Sequence, residues 1–115
     1  LVYSLRSREC GDRFHSRRTF LDSDDCICRL SLKCKLRGHQ GCVNTVAFND
    51  EGTLLVSGSD DTCIRVWDAM RPPRLVAEVE TGHLRNVFAA RFVPESGNRV
   101  VATCAADGQF RLVDV

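Results

Sequence analysis

Residues 55 to 68 read LVSGSDDTCIRVWD, a stretch that gathers two adjacent acids, a cysteine, two serines and the only tryptophan of the chain. Paired carboxylates can divide acid and base roles in a hydrolysis or hold a metal, and a thiol beside an acid can act as a nucleophile. The surrounding pattern favours a quieter reading. Asp60 and Asp61 separate two strand-like runs, so they read as a β-turn with Asp61 turned inward and Asp60 solvated. Cys63 falls in the following strand, where a reduced thiol behaves as a small hydrophobe. A zinc site can be drawn from Cys26 and Cys28 with His15, Cys34 or His39, but it lacks the paired C-x-x-C motifs of structural zinc sites. Glycines 38, 41, 52, 58, 82, 97 and 108 are spread one per turn, and no phosphate-cradling motif occurs. Neither a cofactor, a metal nor a small-molecule substrate is expected, and no residue is expected to be catalytic.

The elements that must position these side chains are strands. VNTVAF (43–48), TLLVSG (53–58), TCIRVWD (62–68) and RLVAEVE (74–80) alternate apolar and polar residues between turn signals. The same succession begins again with NVFAARFVP (86–94), RVVATCA (99–105) and QFRLVDV (109–115), the last two joined by the hairpin signal Asp107-Gly108. Upstream, LSLKCKL (30–36) alternates like the closing strand of an earlier unit and leads into Gly38-His39, as RLVAEVE leads into Gly82-His83. The repeat spans 44 residues from His39 to His83 and 46 from Trp67 to Val113. Residues 1–29 lack this rhythm and read as a basic arm, with a short helix from about Ser23 to Arg29 capped by Ser23 or Asp24.

Composition agrees with a globular chain: 43% of its 115 residues are hydrophobic and 27% charged. The net charge is only +1, so no global field draws nucleic acid or an anionic membrane. Locally the balance is +4 over residues 1–37, with nine basic and five acidic residues, and −3 over residues 38–115, with seven and ten. Arg13, Arg17 and Arg18, interleaved with Phe14 and Phe20, come nearest to a nucleic-acid patch; a solvated linker, or an arm meeting an acidic protein surface, is the better reading. No apolar run reaches the roughly 20 residues of a membrane helix. Seven cysteines at irregular spacing suit a reducing, intracellular setting better than a disulfide framework. The first residue is Leu1, and the chain is expected to be a piece of a longer protein.

Four strands per repeat, with Gly-His near the start and Trp-Asp near the end, resemble the WD-repeat family of β-propellers. The resemblance implies an all-β fold of about two four-stranded blades, spanning residues 39–80 and, incomplete, 83–115. The strand at 30–36 would close a preceding blade, the whole being part of a ring of seven. It also assigns a hydrogen-bonded set to His39, Ser57, Asp61 and Trp67. The chemistry of such a set is self-consistent. Indole N–H donates, hydroxyl donates and accepts, neutral imidazole does both, and carboxylate accepts, so Trp67, Ser57, His39 and Asp61 form a relay. A partial second set is His83, Thr103 and Asp107, with Val113 in the tryptophan's place and no indole donor.

GHQGCVNTVAFNDEG (38–52), GSDDTCIRVWD (58–68), GHLRNVFAARFVP (82–94) and CAADGQFRL (104–112) are similar to one subgroup. These are the WD-repeat substrate receptors of the cullin-4 RING ubiquitin ligase. The resemblance implies a non-catalytic scaffold, in nucleus or cytoplasm, that holds the ligase's linker protein and presents substrates for ubiquitination. A WD-repeat scaffold of a chromatin or trafficking complex is the alternative. In many such receptors a W-D-x-R box meets the linker; here Trp67, Asp68 and Arg71 are the candidates, with Arg71 one position late, and the N-terminal arm is another.

Overall fold

The computed structural model describes residues 24–70 and 72–115. The chain forms two units, Leu1–Lys35 and Leu36–Val115. In the first, a short helix spans Asp24–Cys28. Most of the expected arm, including His15 and the Arg13, Arg17 and Arg18 cluster, lies outside the described residues, as does Arg71.

One expectation fails here. Residues 30–36 carry no strand and are exposed throughout. Alternation supplies a strand with a face but not with a ladder, and backbone N–H and C=O groups without a neighbouring strand are better met by water.

Seven strands follow: β1 (Val43–Phe48), β2 (Leu54–Ser59), β3 (Cys63–Asp68), β4 (Arg74–Glu80), β5 (Val87–Phe92), β6 (Val100–Ala105) and β7 (Phe110–Asp114). They form two antiparallel meanders, β1-β2-β3-β4 and β5-β6-β7. The turns account for the boundaries. Asn49 closes the first one with its side chain, Oδ1 accepting from Thr53 N at 2.9 Å and Leu54 N at 3.0 Å. Gly52 supplies the left-handed residue, φ 72°, that returns the chain into β2. At the β2–β3 turn that position is Thr62, φ 63°, a β-branched residue in the left-handed region. The matching residue between β6 and β7 is Gly108, φ 73°.

Register decides which faces meet. In the first sheet Thr45, Gly58, Ile64 and Val79 form one row and Ala47, Val56, Val66 and Ala77 the next. In the second, Ala90, Thr103 and Arg111 align, as do Phe92, Val101 and Val113. The core joins the two faces: Ala47, Val56, Ile64 and Val66 from one side, Val87, Ala90, Val101 and Val113 from the other. Val56, Ile64, Val87 and Val101 are fully buried, each contributing about 1.5–3 kcal/mol. Gly58 permits the closest approach, because a Cβ there would lie 2.8 Å from Val87 Cγ1. The opposite faces also carry exposed apolar side chains, Val46, Phe48 and Leu75 on the first sheet and Phe110 and Leu112 on the second.

Candidate functional site

The meander brings the polar residues of the opening stretch to one end and one face of the first sheet. Ser57 on β2 and Trp67 on β3 point to the same side, and the segment before β1 lays His39 across them. Trp67 Nε1 donates to Ser57 Oγ at 2.9 Å, and the Ser57 hydroxyl lies 2.7 Å from His39 Nε2. His39 Nδ1 lies 3.0 Å from Asp61 Oδ2. Because carboxylate only accepts, Nδ1 carries the proton and donates to Asp61, leaving Nε2 to accept from Ser57. Asp61 also accepts from the backbone N–H groups of Gln40 and Cys63, at 3.0 Å and 3.2 Å. Burial alone would raise its pKa; the Gln40 N–H, His39, Arg65 and Cys63 N–H outweigh burial and hold the carboxyl well below its ordinary value.

The second sheet repeats the arrangement without the indole. His83 Nδ1 donates to Asp107 Oδ2 at 3.0 Å, and His83 Nε2 lies 3.0 Å from Thr103 Oγ1. Asp107 accepts from Gln109 N and Leu84 N, at 3.0 Å and 3.1 Å. These bonds override the opposing effect of burial and lower its pKa to about 2. Val113 is buried where Trp67 stands in the first sheet, and Thr103 Oγ1 has the Arg111 carbonyl at 3.4 Å as its other neighbour.

Two contributors went unnoticed in the sequence. Arg65, four residues beyond Asp61, is buried, with Nη1 donating to Asp61 Oδ2 at 2.9 Å and Nη2 to Glu78 Oε1 on β4 at 2.6 Å. Its Nη1 also lies against His39 Nδ1; both are donors in this tautomer, so the bond that counts is to Asp61. The signal was its strand parity, which puts Arg65 on the face of Ser57 and Trp67. Asn44 is the second. Its Nδ2 donates to Asp60 Oδ1 at 2.6 Å and to the Val87 carbonyl of the other sheet at 3.2 Å. Asp60 is therefore half-buried and bonded, not simply solvated as expected.

The chemical alternatives find little here. Cys63 begins β3 half-buried, and burial together with the Asp61 charge raises its thiol pKa, the wrong direction for a nucleophile. Among the described residues no group of three or more His, Cys, Asp and Glu side chains is arranged to hold a metal ion. Of the box residues, Trp67 is buried, whereas Asp68 is half-buried and accepts from Met70 N at 2.9 Å and Arg74 Nε at 3.4 Å. No helix among the described residues is long and apolar enough to cross a membrane.

Comparison with known proteins gives this architecture a family. Residues 30–68 match the family described as WD domain, G-beta repeat. The chain is 41% identical over 98 residues to human WD and tetratricopeptide repeats protein 1, covering 85% of this chain and 14% of that protein. It is 40% identical over 107 residues to Protein ALTERED SEED GERMINATION 2 of Arabidopsis thaliana, covering 93% and 14%. To human DDB1- and CUL4-associated factor 6 it is 34% identical over 110 residues, covering 94% and 13%. The chain thus spans about one-seventh of the length of the relatives it matches. With two antiparallel meanders of the repeat packed face to face, the chain belongs to the WD-repeat family and is built as part of a β-propeller.

Proposed function

We propose that this chain belongs to a substrate receptor of a cullin-4 RING ubiquitin ligase, with no catalytic residue of its own. The observation that carries the reading is the alignment over 94% of the chain with a protein named for its association with DDB1 and CUL4. The mechanism is positioning. A rigid propeller holds the linker protein on one surface and a substrate on another, which makes ubiquitin transfer by a separate enzyme effectively local. In this reading His39, Ser57, Asp61 and Trp67, and likewise His83, Thr103 and Asp107, keep the loops fixed on their sheets. The candidate linker contact is the edge after β3, with Asp68 at the strand end, Trp67 buried beside it and Arg71 three residues further along the sequence. The protein would work inside the cell, in the nucleus, the cytoplasm or both, where its seven cysteines stay reduced.

The test uses the full-length protein as bait, quantifying co-purified cullin-4 and linker against an unrelated propeller. A variant with Asp68→Ala and Arg71→Ala leaves the buried Trp67 intact, so loss of binding is not loss of fold. Enrichment with the wild type that falls in the variant assigns the contact to this edge. Enrichment that survives keeps the reading and moves the contact elsewhere. A folded wild type that enriches neither protein overturns it.

A further inference from the structure

The basic side chains of this chain are divided by type as well as by place. Of sixteen basic residues two are lysine, Lys33 and Lys35, and the remaining fourteen are arginine. Residues 36–115, which hold both sheets, contain eight arginines and no lysine, although lysine is among the commonest residues of globular domains. Hydrogen-bond geometry explains part of this choice. Arg65 forks between Asp61 and Glu78, Arg111 grips Gln109 Oε1 through Nε and Nη2, and Arg74 meets Asp68, contacts that suit a planar guanidinium. It does not explain Arg85, Arg91 and Arg99, which are exposed and, among the described residues, join no ion pair. For charge alone a lysine would serve there equally well. What separates the two is reactivity: a guanidinium stays protonated, whereas a lysine amine can lose its proton and accept an acyl group.

Where the lysines do occur, the chain is open to an enzyme. Residues 31–36 belong to no helix or strand and are exposed throughout, so no ladder has to be broken to bring either amine into a transferring site. We propose that Lys33 and Lys35 are the ubiquitin acceptors of this region, modified by the ligase that the protein serves, while the two sheets offer none. The inference rests on the ligase reading above and identifies where such a receptor is itself marked. In the step, the unprotonated lysine amine attacks the carbonyl carbon of the thioester that joins ubiquitin to a cysteine of the separate transferring enzyme. The C–N bond forms as the C–S bond breaks, and the proton released from nitrogen neutralises the departing thiolate. Holding that enzyme and these amines in one complex raises the local concentration of the thioester.

The test recovers the full-length protein from cells with the proteasome inhibited, with and without depletion of the linker protein, and digests it after arginine alone. Cleavage after Arg29 and Arg37 releases residues 30–37 as one peptide carrying both lysines. A conjugated lysine keeps the Gly-Gly end of ubiquitin, which mass spectrometry reads. Remnants on Lys33, Lys35 or both, falling at least about tenfold when the linker is depleted, support the proposal. No remnant on either lysine overturns it, and leaves the ligase reading standing when cullin-4 and the linker still co-purify. Remnants undiminished by depletion make the two lysines acceptors for a different ligase, which overturns their assignment to this one together with the ligase reading.

Discussion

Gly58 offers the sharpest test of how the two sheets meet. A Cβ at this position would sit 2.8 Å from Val87 Cγ1 and 3.0 Å from Thr45 Cγ2. Neither neighbour is a flexible tip: Val87 is fully buried in the shared core, and Thr45 is on the strand paired with β2. Gly58→Ala must therefore push β5 away or twist β2, an overpacking cost of about 1–3 kcal/mol. Val87→Ala removes the obstructing methyl groups and by itself loses about 1.6 kcal/mol, two methylene equivalents, plus a cavity contribution. In the double variant the new methyl occupies the vacated space, so its loss should fall short of the sum of the single losses by about 1 kcal/mol or more. Native-state hydrogen exchange of the full-length protein, followed on peptides covering β2 and β5, reads these opening free energies directly. A neutral Gly58→Ala, or strict additivity with Val87→Ala, would refute the docking described here.

Other outcomes follow from the polar groups and the turns. Asp107 is held at about 2, below its ordinary 3.8, and Asp61 is lowered in the same sense. A carboxylate depressed on folding stabilises the protein above its unfolded value and loses that contribution as pH falls through the folded one. Protection at the β2–β3 and β6–β7 turns should therefore decline between about pH 4 and pH 2, and Asp107→Asn should flatten that decline at its own turn. Trp67→Phe keeps most of the ring but removes the donor to Ser57; thermal denaturation should show a loss of about 1 kcal/mol from the hydrogen bond, besides any packing loss. Thr62 is left-handed where the second sheet has Gly108. Thr62→Gly should relieve about 1 kcal/mol or more of strain, partly offset by glycine's greater freedom when unfolded, and a lower melting temperature would count against this account of the turn.

Much of this architecture was legible because strand parity is a strong local signal. VNTVAF, TCIRVWD and RLVAEVE each have a turn on either side, and the boundaries follow those turns closely. LSLKCKL shows the limit of the method, since a rhythm specifies a face but not the neighbour that completes a ladder. His39, Ser57, Asp61 and Trp67 were accessible through the resemblance to WD-repeat proteins, and their chemistry as donors and acceptors that can satisfy one another agreed with it. Arg65 was harder to read. An arginine in a strand ordinarily reads as solvent-facing, and only the parity shared with Ser57 and Trp67, plus the Glu78 partner on β4, explains its burial. The bond from Asn44 to the Val87 carbonyl depends on how one sheet sits against the other, information that resides in no single segment.

The central claim is that the conspicuous acids and histidines hold loops on sheets. Hydrogen exchange of full-length Asp61→Asn, measured beside its ability to retain protein partners, tests this most directly. The amide replaces an acceptor that His39, Arg65 and two backbone N–H groups share, so exchange should accelerate by about tenfold or more at residues 38–41 and 60–63. Partner retention per folded molecule should stay near wild type. Unchanged exchange at both segments, with an activity or a partner lost, would contradict the claim and make Asp61 a working group after all.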